Sequence, residues 1–228
     1  MLLVDIIIIV FLAFSFLMGF KRGVFTELLS LVGLIVIIII SFFLKNPVSI
    51  FLYKILPFFK FDFIIKGAVI FNIVLYELLA FLIVFSILYA IFKLLLNITK
   101  ILDKILKMSI IFTIPSKLLG GIIGVFKGYI IIFILLYILS LPLFPFDTSK
   151  TKIGSYMLSN TPVLNDVVKD KLKVFDEISN LVDKYKSKEN KNEFNQESLN
   201  LLIKYKGITK ENAKELIKNG KLPGLKVK

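Results

Sequence analysis

Three ionisable side chains sit inside long apolar runs, where a charge is costly and therefore informative. Glu27 opens the second run, about one turn beyond Arg22. Glu77 lies well within the third run and Lys127 within the fourth. The chain has neither histidine nor cysteine, which excludes imidazole bases, thiol nucleophiles, disulfides and the common zinc sites. The chemistry left is that of carboxylate, lysine, tyrosine and hydroxyl groups. If the third and fourth runs are antiparallel neighbouring helices, Glu77 and Lys127 differ in height by ~9 Å at ~1.5 Å rise per residue, which a lysine side chain could largely bridge. The expectation is a Glu77–Lys127 pair in the interior of a helix bundle. Such a pair either neutralises two charges or lines a polar path. Asn72, near the Glu77 face, would widen that path or make one interhelical hydrogen bond. No phosphate loop, metal-ligand cluster or nucleophile elbow is visible, so the reading is a non-enzyme without cofactor or metal.

The elements that must carry these residues are membrane helices. Of the 228 residues 57% are hydrophobic, and the mean hydropathy is +0.86. Several apolar runs approach or exceed the ~20 residues that cross a bilayer. The fold class is all-α: a polytopic membrane protein with four transmembrane helices and a helical C-terminal tail. Spans are expected at about 2–20, 24–44, 67–96 and 118–141, within a membrane domain over 1–145. The first run lacks a basic leader and a small-residue cleavage site, so it reads as a retained anchor rather than a signal peptide. Lys45-Asn46-Pro47 is expected to end the second span. Residues 48–66, dense in phenylalanine, read as an interfacial or re-entrant segment. Beyond the third span, Ile98, Ile101, Leu102, Ile105 and Leu106 recur at helical spacing opposite Lys100, Asp103, Lys104 and Lys107, as in a surface-lying amphipathic helix. Ser116 reads as a cap for the fourth helix. Pro142 and Pro145 end the membrane part.

Glycine marks two other places. Gly19-Phe20-Lys21-Arg22-Gly23, followed by Glu27, reads as a tight turn between the first two spans, fixed at one membrane face. Gly120, Gly124 and Gly128 repeat every fourth residue and line one helix face, which lets another backbone approach closely. The tail, 146–228, is polar. Its apolar residues from Leu164 to Tyr185 predict one long amphipathic helix over 162–186 that starts at Thr161-Pro162. A linker over 187–195 and a small helix pair over 196–220 follow. Gly207 in the turn of that pair faintly echoes a helix-turn-helix, but a small interaction hairpin is the better reading and nucleic acid is not an expected partner.

Lysine and arginine set the orientation. The first span has no basic residue before it, and Lys21 and Arg22 after it, so the positive-inside rule places that turn in the cytoplasm. Four spans then place Lys100, Lys104, Lys107 and Lys117 inside as well. The N-terminus and the tail fall on the extracytoplasmic side. The formal net charge of +13 suits a bilayer with anionic headgroups as a partner, with protein partners or self-association through the glycine face or the tail helix.

Asp5 with Gly19-Phe20-Lys21-Arg22-Gly23 and Glu27-Leu28-Leu29 resembles the start of the colicin V production protein (CvpA) family. The run from Leu118 through Gly120, Gly121, Gly124 and Lys127 to Gly128 resembles that family's second signature, and Ser159-Asn160-Thr161-Pro162-Val163-Leu164 its Thr-Pro element. The resemblance covers about residues 1–170. The chain departs from it at Pro115-Ser116-Lys117, where an Asn-Arg-like pair is usual. The resemblance implies a four-span protein of the bacterial cytoplasmic membrane, associated with production or export of a peptide toxin and with envelope homeostasis, with no established reaction. It makes Lys127 the family's basic position. Some similar membrane modules are fused to extracytoplasmic proteases, which agrees with a tail outside. Two functions are expected: an accessory to toxin production or secretion, or a small oligomeric transporter with a path near Glu77 and Lys127.

Overall fold

Long runs of Ile, Leu, Phe and Val with few breakers give long helices, and the breakers decide where they stop. The computed structural model describes residues 2–59, 68–106, 113–140, 144, 150–161, 164–185 and 190–227. Their regular structure is helical: α1 Leu2–Arg22, α2 Val24–Ile55, α3 Ile70–Leu106, α4 Thr113–Leu139, α5 Lys152–Asn160, α6 Leu164–Tyr185, α7 Lys191–Lys204 and α8 Lys210–Lys218. Four stretches, Leu3–Arg22, Val24–Ile55, Ile70–Leu96 and Ile114–Leu139, are long and apolar enough to cross a membrane. The all-α, four-span class is therefore the observed one.

Several boundaries differ from those expected. α2 does not stop at Pro47 but runs through it to Ile55. A mid-helix proline costs about 3 kcal/mol, and the burial of Ser49, Leu52 and Tyr53 beyond it offsets that cost. α3 continues unbroken to Leu106, so the amphipathic stretch after the third span is part of the same helix. α4 begins at Thr113 with Pro115 in its first turn, where a missing N–H breaks no intrahelical bond. α7 begins at Lys191 within the expected linker, because the Asn190 side chain accepts the Glu193 amide and Phe194 is fully buried. Residues 60–66 of the expected interfacial segment, Pro142, Pro145, Pro162 and 187–189 lie outside the described residues.

The chain forms two compact units, one of Met1–Phe43, Ile83–Ser140 and Phe146–Thr161, the other of Leu44–Leu82, Leu141–Pro145 and Pro162–Lys228. Packing divides the chain within α2 and α3.

In the first unit α1 and α4 lie antiparallel at backbone contact. A Cβ placed on Gly120 would lie 2.6 Å from the Gly19 carbonyl oxygen and 2.7 Å from the Gly23 carbonyl carbon. One on Gly128 would lie 2.8 Å from the Ser15 Cβ. The outward faces of these helices carry Ile7 and Phe14 on α1 and Ile122 and Phe126 on α4, all exposed, as suits contact with lipid. α5 was not foreseen. Asp5 caps it from α1, accepting the Lys152 and Ile153 amides at 3.1 and 3.0 Å. Gly154 lies beside Leu136, and the Thr161 hydroxyl is 2.6 Å from that of Tyr129. α5 therefore runs antiparallel to α4, and the Thr-Pro element begins about ten residues inside the α4 span.

The second unit has its own core. Ile70, Phe71, Ile73 and Tyr76 of α3 are fully buried, as are Ile178 of α6, Phe194 and Leu199 of α7, and Leu222; Leu52 and Tyr53 of α2 join the same cluster. The tail also caps the helices it covers. Asn195 Oδ1 accepts the Val69 and Ile70 amides at 3.1 and 3.4 Å, and Lys221 Nζ donates to the Leu56 carbonyl at 3.1 Å. Asn195→Leu should destabilise this unit by about 1–2 kcal/mol, the usual worth of a helix cap. Hydrogen exchange at residues 69–73 should accelerate, and unchanged protection there would refute the capping role.

Candidate functional site

The first charge cluster is assembled at the α1–α2 turn. Gly23 adopts φ 79°, a left-handed value that glycine takes without a side-chain clash. Its amide donates to the Gly19 carbonyl at 3.0 Å, and the Glu27 amide donates to the Gly23 carbonyl at 3.1 Å. Ser116 does not cap its own helix as expected. Its Oγ instead accepts the Val24 amide, the first of α2, at 3.3 Å, because the Gly120 contact brings α4 against the turn. The turn places Glu27 in the first turn of α2, where the helix dipole favours a carboxylate.

Glu27 is 0% exposed. Lys127 Nζ pairs with its Oε1 and lies 3.3 Å from Ser30 Oγ. Arg22 Nη1 lies 3.5 Å from Oε2, the oxygen that accepts no hydrogen bond. One buried carboxylate thus faces two cations.

The second cluster belongs to the other unit. Lys45 pairs with Glu77 Oε2, and the Tyr53 hydroxyl donates to Oε1 at 2.7 Å. Glu77 is buried at 8% exposure. Lys45, Ser49 and Tyr53 share one face of α2 at i, i+4 and i+8. Asn72 is fully buried and serves the backbone. Its Oδ1 accepts the Phe59 amide at 2.7 Å, and its Nδ2 donates to the Phe59 and Val69 carbonyls at 2.9 and 3.1 Å.

The expected Glu77–Lys127 pair is therefore corrected. Lys127 takes Glu27, and Glu77 takes Lys45. The expected pair rested on taking the third and fourth runs as neighbours, and the expected stop at Pro47 kept Lys45 from consideration. Continuation of α2 makes Lys45 a mid-helix residue beside Glu77, and the glycine contact brings Lys127 to the start of α2. Sequence reasoning missed Lys45, Tyr53 and Ser30 as participants. The spacing of Lys45, Ser49 and Tyr53 is a visible signal once a helix is allowed through Pro47. Gly19, Gly23, Gly120, Gly124 and Gly128 all lie at the α1–α4 contact, while Lys21 is exposed.

Residues 4–167 match the family model of the colicin V production protein. The chain belongs to that family. It is a multi-span membrane protein linked through the family to colicin V production. No curated protein and no solved structure matches it. The colicin V production match contains the whole Glu27 cluster, the α1–α4 contact, Asp5 and Thr161. Asn195 and Lys221, which cap the second unit, lie beyond it.

Proposed function

We propose that the protein is a non-enzymatic accessory of the bacterial cytoplasmic membrane, supporting production or secretion of a peptide toxin and envelope homeostasis. The observation that carries this reading is that both buried carboxylates of the candidate spans, Glu27 and Glu77, are held in ion pairs. Charges committed in this way fix helices against one another. An accessory protein needs such a rigid scaffold to present its surfaces. In this reading the N-terminus and tail lie outside and the Gly23 turn inside, supported by Lys21, Arg22 and Lys117. Anionic headgroups would neutralise the exposed lysines. Asp5 agrees with an even number of crossings, since it ties the start of α1 to the start of α5.

Vesicles carrying the purified protein should release ions and small solutes no faster than empty ones. Reporters fused after Phe146 and Lys228 should both report an extracytoplasmic site. A cytoplasmic reporter would overturn the orientation. The second reading, a small oligomeric transporter, is favoured by one observation: Glu27 Oε2 is buried without a hydrogen-bond donor. Conduction that disappears in Glu27→Gln would establish it over the first.

A further inference from the structure

α5 runs back into the membrane from the side at which α4 leaves it. Its first amides, those of Lys152 and Ile153, are held by Asp5 in the first turn of α1. Its far end reaches Tyr129, whose hydroxyl lies 2.6 Å from that of Thr161. Tyr129 falls within three residues of the middle of the candidate span Ile114–Leu139. α1 agrees on this level, because a Cβ on the adjacent Gly128 would meet Ser15 and Leu12, beside the middle of Leu3–Arg22. The nine residues of α5 cover ~13 Å at ~1.5 Å each, close to the ~15 Å half-thickness of a hydrocarbon core. α5 is thus a re-entrant helix that stops near mid-bilayer. Its packed face is apolar, with Gly154, Met157 and Leu158 buried. Its outward face is polar. Lys152, Ser155, Tyr156, Ser159 and Asn160 recur at i, i+3, i+4, i+7 and i+8; Ser155 is half-buried and the other four are exposed. The outward faces of α1 and α4 near this level carry Phe14 and Phe126 instead.

Chemistry selects what covers this stripe. Hydrocarbon cannot solvate the Asn160 amide. The backbone makes the same demand. The last carbonyls of a helix lack intrahelical donors, and Pro162 has no N–H to offer the Leu158 carbonyl. Such a helix end persists at membrane depth only where protein buries it or water reaches it, and Asn160 is exposed. The polar stripe is also continuous from Lys152, at the membrane edge, to Asn160 at its inner end, as entry of water requires. We propose that this face of α5 lines a water-filled cleft. It opens on the side of the membrane that holds the start of α1 and is closed near mid-bilayer by the Tyr129–Thr161 hydrogen bond. Closed at its inner end, the cleft admits small hydrophilic solutes without letting them cross, in keeping with the absence of leak expected above.

The absence of cysteine makes the test direct. Full-length Lys152→Cys, Tyr156→Cys, Asn160→Cys and Phe126→Cys proteins in phosphatidylcholine vesicles are treated from outside with a membrane-impermeant maleimide. All four positions are exposed, so each variant should melt as the unaltered protein does. Lys152→Cys, at the edge, gives the fraction of molecules that face outward. Tyr156→Cys and Asn160→Cys should label to the same fraction, at rates within about tenfold of it, because the reacting thiolate forms where water reaches. Phe126→Cys, about one turn from Tyr129 on an outward apolar face, should label at least ~100-fold more slowly, since apolar surroundings suppress the thiolate. Asn160→Cys as unreactive as Phe126→Cys would overturn the proposal and leave the face to lipid or to another chain. Disulfide dimers as the main product on oxidation of Asn160→Cys would overturn it too, by assigning the face to a second copy. Labelling of Phe126→Cys as fast as that of Lys152→Cys would put the whole level in water and refute re-entry.

Discussion

Glu27→Leu should cost the protein about 3–5 kcal/mol, the usual penalty for removing one partner of a buried ion pair. The carboxylate is 0% exposed, and Lys127 pairs with one of its oxygens while Arg22 approaches the other. Deleting it leaves the Lys127 ammonium, whose side chain is only 14% exposed, without its counter-charge. Arg22 is more exposed and can turn toward water, so the damage should fall mainly on Lys127. The double variant Glu27→Leu with Lys127→Leu should recover most of the loss, since two apolar residues replace a paired charge at little net cost. Thermal unfolding in detergent, read on the single and double variants, measures this coupling. If the double variant were as unstable as the single, Glu27 would be acting through packing and not through its charge.

Gly120→Ala should be nearly as damaging, by about 1–3 kcal/mol, the range for overpacking a tight contact. The added methyl would meet the backbones of Gly19 and Gly23, which cannot rotate away. Gly33→Ala provides the contrast. Its methyl would meet only the tip of the Phe92 ring, and a side chain can swing aside, so the loss should stay under about 1 kcal/mol. Melting curves of the two variants decide the matter. Equal losses would mean that the α1–α4 contact is looser than its geometry implies.

Much of this was legible in the sequence, because the signals were local. Apolar runs gave the spans, the four-residue glycine spacing gave a close-packing face on α4 without naming α1 as its partner, and the Gly19–Gly23 turn needed only its own residues. Two pieces were hidden because distant burial overrode local preference. Pro47 reads as a stop, yet α2 passes it because Leu52 and Tyr53 join a core completed by residues more than a hundred positions later. α5 is short and only moderately apolar, and its place is fixed by Asp5 at the other end of the family-matched region. The missed ion-pair partners followed from the expected stop of α2 and from the unrecognised α1–α4 contact rather than from misjudged chemistry. Glu27, Glu77 and Lys127 were the right residues with the wrong neighbours.

The capping of Ile70 by Asn195 also bears on the order of synthesis. The two positions are 125 residues apart. At ~5–20 residues per second, the start of α3 is made roughly 6–25 seconds before the side chain that caps it. Throughout that interval Ile70, Phe71 and Ile73 have no α7 to cover them, and neither amide at the head of α3 has its acceptor. The growing chain must shelter an apolar helix end that only its last forty or so residues can close. A nascent chain released early at residue 187 would carry all four spans and an unfinished second unit. Protein quality control would meet that product as a membrane-inserted chain with an exposed apolar flank.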